Sequence, residues 1–452
     1  MDHETLGHRL PEVRITPPGP VSRDMSRRLH AVESRNVTHV AADWPIFWKD
    51  ARGSNVVDVD GNVYLDLTGA FGVALLGHAH PGVSAAVAEQ ARHLVHGMGD
   101  VHPPAVKLRY LERLVAAAPW PDARVILSST GSEAVETALK TALVATGRPG
   151  VLAFEGAYHG LTLGSLAATD RDLFRGPFLS RLYGGVAFAP FPDPMRHGPA
   201  AAGPSLESVA RILKEGAPNG DPIGAVLVEP VQGRAGVRLA PDGYMARLSA
   251  IARDAGALVV ADEVFTGMGR CGSFTASERV GLRPDLVCLG KALGGGLPLS
   301  ACMGPRRIMD AWPASTGEAI HTSTFLGHPL ACAAGLAVLD AMEDEGVVGR
   351  ARILGGQLVA GLRSALAGRE GVGEVRGLGL MVGIEFTRGA GMEPIEGAGA
   401  RAAQAALEEG VLLLPAGAHG HVLELTPSVN LTDEQTRVAV DAVARAVRVA
   451  VG

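Results

Sequence analysis

Lysine is almost missing from this chain, with five residues against 36 arginines in a length of 452. Cysteine is equally sparse. Cys271, Cys288, Cys302 and Cys332 show no CxxC or other metal-type spacing, which argues against a zinc or thiol-redox motif and for buried, reduced thiols. No apolar run approaches the roughly 20 residues of a membrane span. The first 35 residues are polar and lack the apolar core of a secretory leader, so the chain is expected to be cytoplasmic. The net charge of −6 is modest and dispersed, and neither nucleic acid nor an anionic membrane is expected as a partner. There is no internal repeat and no low-complexity segment.

What is present suits a compact enzyme. Hydrophobic residues make up 47% and glycine contributes 59 positions, enough for a large core, many loops and two domains. Residues 1–35 read as an arm without strong periodicity. Residues 55–66 alternate apolar and polar around Asp60-Gly61-Asn62, a hairpin signal. From about 80 to 330, strands expected at 124–128, 151–154, 225–229, 257–262 and 285–290 alternate with helices at 132–145, 205–214, 243–255 and 329–343. Such alternation predicts an α/β fold with a mainly parallel sheet covered by helices on both faces. Helices at 350–366, 398–409 and 432–449, with strands near 372–376 and 381–385, predict a smaller α+β domain. The expected division is an arm and hairpin (1–70) packing with the small domain, a large domain (71–335) and the C-terminal small domain (336–452).

Lys291 stands out among the five lysines. It ends the apolar run Asp285-Leu286-Val287-Cys288-Leu289-Gly290 and faces the turn Ala292-Leu293-Gly294-Gly295-Gly296. A lysine there is either a desolvated nucleophile or a structural residue whose amine snorkels to water. Ligands of open α/β sheets bind beyond the carboxyl ends of the strands, and other capable residues fall at such ends. Asp262 closes Ala257-Leu258-Val259-Val260-Ala261 and, once buried, needs a cationic or hydrogen-bonding partner. Asp and Lys at strand ends suit a pyridinium nitrogen and a Schiff base. Thr130-Gly131-Ser132-Glu133 opens a helix and reads both as a capping box and as an anion site at the positive end of the helix dipole. Tyr158, in Gly156-Ala157-Tyr158-His159-Gly160, is either a core aromatic or a ring that stacks on a flat cofactor.

From about residue 45 onward the chain resembles the class III pyridoxal-phosphate aminotransferases of fold type I, which include ornithine, 4-aminobutyrate and ω-amino-acid transaminases. The landmarks are Asp58-Val59-Asp60-Gly61-Asn62, Leu76-Gly77-His78-Ala79-His80-Pro81, Thr130-Gly131-Ser132-Glu133-Ala134-Val135-Glu136 and Glu229-Pro230-Val231-Gln232-Gly233. They continue with Asp262-Glu263-Val264-Phe265-Thr266-Gly267-Met268-Gly269-Arg270, Gly290-Lys291-Ala292-Leu293-Gly294-Gly295-Gly296 and His321-Thr322-Ser323-Thr324-Phe325-Leu326-Gly327-His328-Pro329. The resemblance implies pyridoxal 5'-phosphate as cofactor, with Lys291 as the Schiff-base lysine and proton shuttle and Asp262 on the pyridine nitrogen. It further implies Gly131 and Ser132 on the phosphate, Tyr158 and Val264 on either face of the ring, and Thr324 reaching the phosphate of a neighbouring subunit. The partners implied are an amine donor, a carbonyl acceptor that collects the amine in a ping-pong cycle, and a second copy of the chain in a homodimer with shared active sites. By the same analogy, the segment containing Phe71 approaches the substrate.

The chain also departs from the family. Many members grip the substrate carboxylate with an arginine in Val-Leu-Arg-Leu-x-Pro-Pro-Leu; here the stretch is Val422-Leu423-Glu424-Leu425-Thr426-Pro427-Ser428-Val429. Glu424 should repel a carboxylate and, with Glu229, favour a cationic or hydroxylated amine such as a polyamine or an amino sugar; otherwise it points elsewhere and another arginine serves. Phe265 stands where many relatives carry a glutamine toward the ring's 3-oxygen, His328 where asparagine is frequent, and Cys271 where threonine is usual. The competing expectation is an epimerase or racemase on the same frame, with Cys271, Tyr158 or His159 as the opposing proton donor. A catalytically silent protein is disfavoured by Lys291 and Asp262 together.

Overall fold

The computed structural model describes residues 3–41 and 44–451. The chain divides into two compact units. The larger comprises Pro81–Ile353 and Gly377–Met381; the smaller comprises the residues up to His80, Leu354–Arg376 and those from Val382 onward. Relative to the expected boundaries, residues 71–80 therefore fall in the small unit, and 336–353 and 377–381 in the large one.

The large unit is built on a seven-stranded sheet in the order Ala123–Ser128, Ser300–Pro305, Leu286–Leu289, Leu258–Asp262, Ile223–Val228, Gly150–Phe154, Val186–Ala189. The last five are mutually parallel, while Ser300–Pro305 runs antiparallel to both of its neighbours. Every residue of Ile223–Val228 is buried, as expected for a continuous apolar strand covered on both faces. On one face, Ala134, Val135 and Ala138 of the helix Gly131–Thr146 pack against Leu227, Val260, Leu286, Cys288 and Cys302. The small side chains of that helix let it approach the sheet closely, so its first turn lies near the strand ends. The carboxyl ends of four neighbouring parallel strands lead into Tyr158, Glu229, Asp262 and Lys291.

The small unit carries two sheets. Trp48–Arg52, Asn55–Asp58 and Val63–Asp66 form antiparallel pairs, and Val411–Leu412 adds in parallel to the last. The hairpin turn is fixed by Asp58, which accepts from the N–H groups of Asp60 and Asn62 and from the Tyr64 hydroxyl. The second sheet runs Val372–Leu378, Met381–Arg388, Val422–Leu425, Leu414–Ala416, with Glu393–Pro394 at its side. The supposed N-terminal arm instead contains a 13-residue helix, Pro20–Val32. Its buried positions are Ser22 and Ser26, so its sequence carries no apolar stripe to mark a helix. Asp60 holds its start by accepting from the N–H groups of Val21 and Ser22 and from the Ser22 hydroxyl.

Candidate active site

Asp262 ends its strand buried, and its two oxygens are separately engaged. The Val264 N–H donates to Oδ1 at 3.1 Å, and His159 Nδ1 lies 2.7 Å from Oδ2. A carboxylate only accepts, so the imidazole proton sits on Nδ1. His159 Nε2 is buried and takes no hydrogen bond among the described residues. The His159 main chain is fixed in turn by its N–H to Thr169 Oγ1 at 2.9 Å.

The first turn of Gly131–Thr146 forms the second part. Thr130 and Glu133 make the expected capping box, which serves the N–H groups of Thr130 and Glu133. Those of Gly131 and Ser132 take no acceptor among the described residues. Ser132 Oγ accepts from Leu161 N–H at 3.3 Å. Glu136, one turn on, accepts from Thr162 Oγ1 and from Gly164 N–H, so the helix holds the loop after His159 against itself. The loop can come this close only because residue 160 is glycine: at φ +123°, a Cβ there would lie 2.1 Å from Ser132 Oγ.

Lys291 adopts φ 47°, a left-handed conformation costly for a residue with a side chain. Its neighbour Gly290 packs on Val264 and Gly131, so the lysine, the Asp262 loop and the helix start converge. Nζ stands 3.6 Å from the centre of the Phe265 ring, a cation–π contact. Phe265 in turn lies on Gly233, where a Cβ would meet its ring at 2.4 Å. Glu229 joins this loop to that of Tyr158: Oε1 accepts from Tyr158 N–H and Oε2 from Gly233 N–H, each at 3.0 Å. Burial, opposed by the nearby His159, raises the Glu229 carboxyl to about 7.

Lys291, Asp262, Val264, Gly131, Ser132, Tyr158 and Glu229 thus belong to the strand-end region of the large unit. Thr324 is exposed in the turn Ser323–Leu326 of the same unit. Phe71 and Glu424 belong to the small unit. Phe71 is 63% exposed at φ 60°, next to Ala70 at φ 48°, in a strained turn tied down by Asp66, which accepts from Thr68 and Ala70. Glu424 is buried in Val422–Leu425, opposite Gly383 on one neighbouring strand and Leu414 on the other. Cys271 is fully buried in a core cluster with Val231, Val237, Ala276 and Met381, and burial pushes its thiol far up. Sequence reasoning gave His159 no role beside Asp262. The signal was a histidine immediately after the Tyr158 position at a strand end.

Pyridoxal phosphate brings an anionic phosphate, a ring nitrogen that binds a proton and a carbonyl carbon. Free N–H groups at a helix start suit the first. The Asp262 oxygens, each with one partner where a carboxylate can accept about four hydrogen bonds in all, suit the second. The Lys291 amine, next to Gly290 on the turn that packs against Val264 and Gly131, suits the third. The residues fit this cofactor.

Comparison with known proteins agrees. A family model for class III aminotransferases matches residues 37–447. The chain is 38% identical over 413 residues to the 5-aminovalerate aminotransferase DavT of Pseudomonas putida, covering 90% of this chain and 94% of that one. It is 32% identical over 455 residues to an alanine/serine racemase of Pyrococcus horikoshii, covering 98% and 94%. Among solved structures, a PLP-bound amine transaminase from an uncultivated Pseudomonas species superposes with a TM-score of 0.83 at 31% identity, covering 93% and 98%. A strand-end lysine, a buried aspartate and a capped helix start therefore stand in a chain that belongs to the class III aminotransferases, enzymes that work with pyridoxal phosphate.

Proposed function

We propose that this aminotransferase takes its amino group from an amine bearing a second cationic or hydroxyl group, an ω-amino compound or an amino sugar, and passes it to a keto acid or aldehyde in a ping-pong cycle. The observation that carries the substrate reading is Glu424, a buried carboxylate in the strand Val422-Leu423-Glu424-Leu425, in the place where the family keeps a carboxylate-gripping arginine. A carboxyl in place of a guanidinium offers no bidentate partner to an anionic donor and can accept hydrogen bonds from an amine or a hydroxyl.

When bound, pyridoxal phosphate supplies a carbon that bonds to the substrate's amine and a ring that draws electrons from the adjacent C–H bond. The protein's own groups do the rest. Asp262, held by His159 and by the Val264 N–H, keeps a proton on the ring nitrogen. Lys291 Nζ would hold the cofactor and would be the group that takes the proton from the substrate carbon. The N–H groups of Gly131 and Ser132 with Ser132 Oγ would hold the phosphate, and Tyr158 and Val264 would hold the ring.

The enzyme works as a cytoplasmic homodimer. Exposed Leu94, Val95, Met98, Val101 and Phe325 support the dimer; the His96 ring meets Phe325 at a tilt, centroids 5.3 Å apart, so the 94–101 segment and the Thr324 turn share one face. Four free, buried cysteines suit a reducing compartment. Light scattering should give twice the chain mass, and a monomer would remove the shared-site reading.

The test of the reaction is the half-reaction. The holoenzyme is mixed with 4-aminobutyrate, putrescine or an amino sugar without acceptor, and the cofactor spectrum is followed. Stoichiometric conversion to pyridoxamine phosphate supports transfer. Solvent deuterium entering the substrate without cofactor conversion would support racemisation instead, a second reading favoured by likeness to the racemase. Glu424→Arg should shift preference from putrescine toward 4-aminobutyrate, and an unchanged preference would remove Glu424 from substrate selection.

A further inference from the structure

Four consecutive residues of the small unit, Gly69-Ala70-Phe71-Gly72, have positive φ, at 52°, 48°, 60° and 79°. Together they make a short turn of left-handed helix. Glycine adopts that hand freely, but a residue with a side chain resists it, so such residues normally occur singly. Here two stand side by side, and the second raises an aromatic ring into solvent, with Phe71 63% exposed. Neither the strain nor the exposed ring favours folding. Strained backbone that persists is held by its surroundings, and it clusters where a protein meets its ligands.

What holds this turn is Asp66, itself buried. Its Oδ1 accepts from the Thr68 N–H at 2.8 Å and from the Thr68 hydroxyl at 2.6 Å. Its Oδ2 accepts from the Ala70 N–H at 3.1 Å and from His78 Nε2 at 2.8 Å. Those four donors fill the acceptor capacity of a carboxylate. Three of them belong to the turn or its entry, and only His78 comes from outside. The histidine has its own mount. Its main-chain N–H and C=O exchange hydrogen bonds with Gly53 at 2.8 and 2.9 Å, and the Trp48 ring meets the imidazole edge-on, centroids 5.6 Å apart. The imidazole is thus a fixed post for Oδ2. Without its donor, that buried oxygen keeps the Ala70 N–H alone, and nothing outside the turn fixes its aim.

We propose that His78 is a positioning residue for substrate recognition: through Asp66 it holds the left-handed turn, and so fixes the Phe71 ring that packs on the carbon chain of the amine donor. The inference rests on the aminotransferase reading above and goes beyond it by naming the device that sets the ring's pose. A ring kept in one pose binds the donor without first losing conformational freedom. If the turn relaxes, only a fraction of molecules presents the ring, and the apparent affinity falls by that fraction. The brace therefore acts on donor binding more than on the chemical step.

The test uses holoenzyme and two readouts. Chymotrypsin, which cuts after accessible aromatic residues, reports how firmly the turn is held, with the cut between Phe71 and Gly72 counted by mass spectrometry. The acceptor-free half-reaction with 4-aminobutyrate and with putrescine gives the half-saturating donor concentration and the limiting rate. His78→Phe should speed the cut and raise the half-saturating concentration, each about tenfold, with a smaller change in the limiting rate. His78→Gln keeps an N–H donor for Asp66 and should recover part of both. In a Phe71→Ala background, His78→Phe should leave donor binding as Phe71→Ala alone leaves it, because the ring it positions is gone. A His78 effect of equal size in both backgrounds would mean that the histidine serves the fold alone, and would overturn the proposal. Parent-like cleavage and parent-like donor binding in His78→Phe would overturn it as well. If the parent converts neither amine, the donor reading above fails, and the cleavage rates still decide whether His78 holds the turn.

Discussion

His159 Nδ1 and Asp262 Oδ2 approach to 2.7 Å, with side-chain exposures of 0% and 5%. In so dry a place the imidazole does what water would otherwise do for the carboxylate: it fixes the orientation of Oδ2 and supports its negative charge. His159→Phe keeps the volume and removes the donor. The variant should bind pyridoxal phosphate roughly 10- to 100-fold more weakly, the range expected for one hydrogen bond to a buried charge. Titration of apoenzyme with cofactor, followed by absorbance, measures it.

Lys291 is expected to carry the cofactor covalently. Borohydride reduction of holoenzyme should add the cofactor's mass less one oxygen, lost as water when the imine forms, to the peptide containing Lys291. In Lys291→Ala that adduct should vanish and turnover should fall by at least ~10²-fold, the lower end for a lost proton-transfer group. An adduct on Lys140 or another lysine would remove Lys291 from the role.

Glu229 makes stability depend on pH. Burial lifts its carboxyl from 4.5 to about 7, so between those values the folded chain keeps a proton that the unfolded chain releases. Its contribution is therefore most favourable below about 4.5 and is lost as pH rises through about 7. Glu229→Gln removes this titration, and the stability difference between pH 5 and pH 8 should shrink, on the order of 1–3 kcal/mol. Urea unfolding of parent and variant at the two pH values checks the sign; a larger difference in the variant would contradict it.

Two glycine substitutions separate crowding from backbone strain. At Gly160, φ +123°, an added Cβ would meet Ser132 Oγ at 2.1 Å; at Gly147, φ +67°, it meets nothing within 4 Å. Gly147→Ala should cost about 1 kcal/mol, the price of the left-handed conformation alone. Gly160→Ala should cost roughly 2–4 kcal/mol, because overpacking adds to strain, and should also weaken phosphate binding by displacing Ser132. Thermal unfolding with and without inorganic phosphate reports both effects.

The strands that carry the site were legible because each is an apolar run ended by a polar residue: Leu258–Asp262 stops at the carboxylate, and Leu286–Leu289 stops two residues short of the lysine. Val186–Ala189 and Ser300–Pro305 were not legible. The first is an apolar run of only four residues at the sheet edge, too short to tell from a loop, and the second mixes small residues with glycine and proline. The Thr130–Glu133 capping box was readable from local spacing, and the structure has it. The contacts of His159 and Phe265 were not, because each depends on loops from different strands meeting at one sheet edge. No local pattern encodes that distance.

The four thiols are all out of reach of solvent, Cys288 and Cys302 directly opposite each other on adjacent strands and Cys271 and Cys332 elsewhere in the core. Nature has thereby fitted the enzyme with its own unfolding clock. A chromogenic disulfide reagent should label native protein only as fast as the chain opens, and should count four thiols at once in denaturant. Labelling rates with and without pyridoxal phosphate would then report how far the cofactor slows the opening of its own scaffold, with no engineered probe.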